Sequence, residues 1–177
     1  MEWLQNITLP QSLEHIELLY YLLVISLFIF ISFVSIIFWG TGLSAYFKMN
    51  EKKYLDDKYR RIAKDIIEIV TINKSIGVIL GIIPLITSIL IFAQLFQSAE
   101  TANLDYLTLS LALLSIALFF IYDYRNSLSE LKDLRLSSGI AGFIILFFAL
   151  WLFVTGITVA VFHGHWQPEG LFSDMFS

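Results

Sequence analysis

Three histidines, His15, His163 and His165, have the widest chemical range of any residues in this chain. Neutral imidazole ligates a metal through one ring nitrogen and is oriented through the other. His15 lies between Glu14 and Glu17, whose carboxylates can accept from the proton-bearing nitrogen, and a long apolar run begins just after it. His163 and His165 are two residues apart, whereas helical side chains that share a face are three or four apart. One of that pair at most is therefore expected to ligate. His15 and His163 are the metal-ligand candidates, with His165 beside them as a cofactor-binding candidate. Two neutral imidazoles from two helices, one on each face of a porphyrin, make a haem b site. Asn73, Gly77 and Gly81 form a second constellation, spaced by four and followed by Pro84. Small residues on one helix face let a second backbone or a flat cofactor approach closely, helix packing being the commoner use. Pro84, which has no amide proton, is expected to kink or loosen its helix.

The elements that must carry these residues follow from the charge pattern. Four stretches hold no charged side chain: Leu18–Phe47, Ser75–Ala99, Tyr106–Tyr122 and Leu136–Trp166. Crossing about 30 Å of hydrocarbon takes roughly 20 helical residues. The stretches read as spans at about 18–47, 75–99, 106–122 and 136–162, within one membrane domain covering 1–177. The fold class is all-α, an integral membrane four-helix bundle. Between the first two spans, Leu55, Tyr59, Ile62, Ile66, Ile69 and Val70 recur at steps of three and four, which predicts an amphipathic linker helix over 52–72. Lys58, Arg60, Arg61 and Lys64 on its polar side suit anionic headgroups, and a solvated linker with an anchoring stripe is the plainer reading. Asp123–Arg135 is expected to extend spans three and four into water. Ser12 suits a helix cap, and Met1–Glu17 lacks the basic start and cleavage site of a removable signal peptide.

All 11 Lys and Arg residues fall in the first and third connections or at their edges. Basic residues near span ends stay on the cytoplasmic side, so both termini are expected outside and the linker helix inside. The three histidines then share the outer rim. A content of 58% hydrophobic and 15% charged residues places the chain in the bilayer, and the segregated charge argues against nucleic-acid binding. Zero cysteines exclude disulfides, thiolate metal sites and covalently attached c-type haem within this sequence. No span carries a charge at mid-depth, which argues against a transporter or channel. Ser26, Ser32, Ser35, Thr87, Ser88, Ser110, Ser115 and Thr155 supply mild polar glue between helices.

The run from Asn73 to Gly81, with Asn73, Gly77, Val78 and Gly81 in place, resembles the Asn-x-x-x-Gly-Val-x-x-Gly motif that opens the second helix of cytochrome bd quinol oxidase subunit I. Gly164–His165–Trp166–Gln167–Pro168 is similar to the Gly-Trp-x-Gln-Asn-Pro segment after that family's fourth helix, and His15 resembles its first-helix haem ligand. The resemblance covers the first four of the family's nine helices. It implies a subunit of a respiratory electron-transfer complex in a bacterial inner membrane, binding haem b or facing quinone, beside other membrane subunits and cytochromes. The third span lacks the glutamates that serve oxygen reduction in the family, so a complete oxidase is not implied. A cofactor-free membrane anchor or assembly subunit is the alternative.

Overall fold

A computed structural model describes residues 13–54, 57–71, 73–95, 102–129 and 136–161. Helix α1 (Leu13–Tyr54) is followed by α2 (Asp57–Val70) and a short α3 (Lys74–Gly77), which passes through a π-helical turn (Val78–Ile82) into α4 (Ile83–Leu95). Helices α5 (Ala102–Ser129) and α6 (Leu136–Val161) complete the described chain. Four of these units are long and apolar enough to cross a membrane: α1, the α3–α4 unit, α5 and α6. Among the described residues the secondary structure is entirely helical.

The spans alternate in direction and close into a square. Helix α1 packs on α4 and α6, and α5 packs on α6 and, more sparsely, on α4. Their inner faces meet in one cluster that includes Phe30, Ile37, Leu85, Leu114, Ile121, Leu146 and Phe153. The outer faces remain apolar, with Phe28 and Phe119 more than 70% exposed. Hydrocarbon against those faces, in place of water, removes the cost of such exposure.

Two contacts set the register of the α1–α6 pair: Phe30 lies 4.6 Å from Phe153 and Phe38 4.6 Å from Phe143, between ring centroids. The α5–α6 seam is the tightest. A Cβ on Gly142 would lie 3.3 Å from the Ile121 amide nitrogen, so glycine is what permits this approach. Ser110 adds an interhelical bond, its hydroxyl donating to the Ala149 carbonyl at 2.8 Å. Thr87, Ser88 and Ser115 instead donate back to carbonyls of their own helices.

Pro84 alters its helix as its chemistry dictates. With no amide proton it leaves the i→i−4 ladder incomplete, and the preceding turn widens so that the Ile83 amide donates to the Val78 carbonyl, five residues back.

The first helix is longer than the membrane requires. Its 42 residues extend about 63 Å, twice the hydrocarbon thickness. The apolar run expected to end its span at residue 47 passes beyond the level where the other spans become polar. There α2 folds back antiparallel on α1: Val70 abuts Gly40, the Ser44 hydroxyl donates to the Ala63 carbonyl at 2.7 Å, and Tyr59 lies over Phe47. Residues 52–54, assigned to the linker by pattern, belong to α1, and the amphipathic helix begins at Asp57. Its innermost side chains, Ala63 and Ile67, are fully buried in the protein. Helix α5 runs on through Asp123 to Ser129, as the charge pattern led one to expect, while residues 130–135, over which the fourth span was also expected to extend, lie outside the described residues.

Candidate functional sites

Helix direction divides the bundle into two ends. One carries Lys48, Lys74 and Arg125 and is held together by cross-helix hydrogen bonds. The other carries His15, on the first turn of α1, and the end of α6. His15 is exposed, as are Glu14 and Glu17. Continuing the Phe30–Phe153 register places Val161 beside Leu22, about 10 Å below His15 along the helix. The described end of α6 therefore lies at the His15 end, on the helix adjacent to α1. His163 and His165 lie outside the described residues. Among the described residues no three His, Cys, Asp or Glu side chains gather into a potential metal site.

Asn73, Gly77 and Gly81 occupy the opposite end and the adjoining interior. The Asn73 side chain caps α3, its Oδ1 accepting from the Ser75 amide at 3.1 Å. Its backbone carbonyl accepts from the Tyr122 hydroxyl at 3.0 Å. A Cβ on Gly77 would lie 2.7 Å from that same hydroxyl oxygen, and one on Gly81 3.0 Å from the Phe33 ring. The space beside both glycines is filled by side chains of α5 and α1. These residues start the second span and let its neighbours close on it, and the described side chains leave no cradle for a porphyrin there.

A third constellation was not singled out from sequence. Thr41, Ser44, Lys48 and Glu51 recur at steps of three, four and three on one face of α1, beneath α2 and beside α5. Thr41 and Ser44 are fully buried, and the Lys48 and Glu51 side chains are 6% and 15% exposed. Lys48 Nζ lies 2.6 Å from Glu51 Oε2, an ion contact that does not have hydrogen-bond geometry. The Ser44 hydroxyl, whose proton goes to Ala63, lies 3.2 Å from the hydroxyl of Tyr124. Tyr124 must then be the donor in that pair. Thr41 Oγ1 has no hydrogen-bond partner. Nearby, Arg125 donates to the Thr71 carbonyl, and the Ser138 hydroxyl donates to Asp123 at 2.9 Å. The recurring 3-4-3 spacing was the available signal. It was masked because Lys48 and Glu51 sit in a charged connection that reads as solvated.

An open groove of about 360 Å³ runs along the α1–α6 seam, lined by Phe38, Phe147, Leu150, Trp151, Val154 and Thr155. Its lining is almost wholly apolar and suits hydrocarbon. Compared with protein-family models, curated proteins and solved structures, the chain matches none of them.

Proposed function

We propose that this chain is a multi-pass membrane subunit of a respiratory electron-transfer complex. Its basic end faces the cytoplasm, both termini lie outside, and a haem b is held at the outer rim by His15 and His163. The observation that supports this reading is the antiparallel pairing of α1 and α6, which puts His15 and Val161, the last described residue of α6, at the same end of the bundle on adjacent helices. The resemblance of Asn73–Gly81 and His15 to subunit I of the cytochrome bd family supplies the respiratory context, a bacterial inner membrane and partner cytochromes. A haem there would accept and pass on single electrons. His15 would hold one axial position, with Glu14 or Glu17 able to orient its second ring nitrogen. Quinone is the accompanying small-molecule expectation, its tail matching the apolar character of the α1–α6 groove.

A second reading is favoured by the filled glycine face. With Gly77 and Gly81 closed by Tyr122 and Phe33, the chain serves as a cofactor-free anchor or assembly subunit for such a complex. A reduced-minus-oxidised visible spectrum of the detergent-purified protein, expressed with haem supply, separates the two. Sharp alpha and Soret bands that are lost in His15→Ala support the haem subunit; a colourless preparation refutes it and leaves the anchor. Orientation is tested independently in the natural cysteine-free background. A single cysteine at Lys58 should resist impermeant maleimide in intact cells, and one at Glu14 should react.

A further inference from the structure

Helix α2 carries more apolar surface than its docking uses. Ala63, Ile67 and Val70 point into the contact with α1, but Ile62, Ile66 and Ile69 form a separate ridge at steps of four and three along its outer flank. Ile62 is 41% exposed and Ile69 70%. In a helix surrounded by water such a ridge is unfavourable, and its position suggests what covers it. Val70 rests on Gly40, Arg125 donates to Thr71, and Tyr122 donates to Asn73 directly before the apolar run of the second span begins. The C-terminal end of α2 therefore stands at the level where the spans enter hydrocarbon. Ile66 lies about 4.5 Å and Ile62 about 10 Å farther out along the helix axis. The headgroup layer is about 5–8 Å deep on each side.

The balance of charge favours an anionic lipid. Lys58 and Arg61 lie on the polar flank of the ridge and Lys74 stands at its foot, all three exposed, and with Arg60 and Lys64 they outnumber Asp57, Asp65 and Glu68 on the same helix. Arg61 is about 12 Å beyond Ile69. From the headgroups that is within about one Debye length at physiological salt.

We propose that the Ile62–Ile66–Ile69 ridge, with Lys74, Arg61 and Lys58 beside it, is a binding surface for anionic phospholipid, against which α2 stands upright with its C-terminal end immersed. This differs from a helix lying in the membrane plane, because α2 remains docked on α1 and only its lower turns reach the interface.

The test uses the full chain in nanodiscs of neutral phosphatidylcholine or of phosphatidylcholine with phosphatidylglycerol, one protein per disc. Single cysteines at Ile62, Ile66, Ile69 and Lys64 carry a polarity-sensitive fluorophore. Lys64, on the side of the helix opposite the ridge and accessible beside Glu68, is the aqueous control. The expected result is a blue shift graded from Ile69 through Ile66 to Ile62, absent at Lys64 and larger with phosphatidylglycerol. Arg61→Gln with Lys74→Gln should remove the phosphatidylglycerol dependence while leaving helicity unchanged. Water-like emission at Ile69 in both lipids overturns the proposal, as does a shift that ignores phosphatidylglycerol. Equal shifts along the ridge would indicate a helix lying flat and overturn the upright geometry. A shift seen only with two proteins per disc assigns the ridge to a second copy and overturns the lipid assignment.

Discussion

The polar seam under α2 makes a prediction whose sign depends on hydrogen-bond direction. Ser44 gives its proton to the Ala63 carbonyl and must accept from Tyr124. Tyr124→Phe removes the donor and leaves Ser44 with its other bond intact, so the loss should be about 0.5–1.5 kcal/mol, the net worth of one hydrogen bond. The Tyr124 ring, which packs on Gly139, is retained. Ser44→Ala removes the bond to Ala63 and also strands the Tyr124 hydroxyl in a site where the residue is 1% exposed. An orphaned buried hydroxyl costs about 1–3 kcal/mol, so this variant should lose about 2–4 kcal/mol. In the Ser44→Ala background, Tyr124→Phe deletes the orphan and should restore roughly 1 kcal/mol or more. Equilibrium unfolding in mixed micelles measures the global values, and amide exchange over Ala63–Ile67 reports whether α2 has loosened locally. If Tyr124→Phe destabilises both backgrounds equally, the assigned direction of the bond is wrong and the seam is not a connected network.

Three further outcomes follow from the packing. Gly142→Ala should cost about 1–3 kcal/mol in the same unfolding assay, because the new methyl meets the Ile121 backbone, which cannot yield. Gly81→Ala meets only the edge of the Phe33 ring and should be nearly neutral, since alanine regains about 0.5–1 kcal/mol of helix propensity; a large loss of stability would mean Phe33 is pinned. Replacing Glu51 alone by Leu takes the carboxylate away from a buried ammonium and should destabilise by about 1–3 kcal/mol, whereas Lys48→Met with Glu51→Leu should recover part of that loss. The pair is refuted as a coupled unit if the two substitutions are additive.

The spans were legible in the sequence because lipid imposes a severe rule: an uncharged run of about 20 residues must be a helix, and each such run is helical over its described residues. Pro84 likewise announced a disturbed turn, though proline chemistry alone does not choose between a kink and the π-helical turn found over Val78–Ile82. The site residues divide differently. Asn73, grouped with the glycines by its spacing as a cofactor-facing residue, instead caps the helix that carries Gly77, whereas Gly77 and Gly81 declared a close approach. What approaches them, the Tyr122 hydroxyl and the Phe33 ring, arrives from helices 45 residues later and 48 earlier, a separation no local pattern encodes.

The boundary of α1 was illegible for a related physical reason. An apolar helix face carries no label for the medium that will cover it, and Leu18–Phe47 combines two uses in one unbroken run. Up to about Gly40 its faces meet the bundle and hydrocarbon. Beyond that point Ala45 and Ser44 are buried by α2 and α5. Helix α2 has the same ambiguity in reverse, since Ala63 and Ile67 serve protein packing while Ile62 and Ile69 remain outside it. A single amphipathic stripe can be shared between a protein neighbour and a membrane surface when the helix stands at the edge of both. That sharing also explains the polar seam. Docking α2 upright buries Thr41, Ser44, Lys48 and Glu51, groups that water would otherwise solvate, and Tyr124 and the Ala63 carbonyl replace part of what is lost. The Thr41 hydroxyl, which finds no hydrogen bond, measures what remains unreplaced. It costs about 1–3 kcal/mol, enough to keep α2 the least firmly held helix at the basic end. Amide exchange should therefore open α2 before α5 or α6, and equal protection across the three would show that the seam is better satisfied than its geometry indicates.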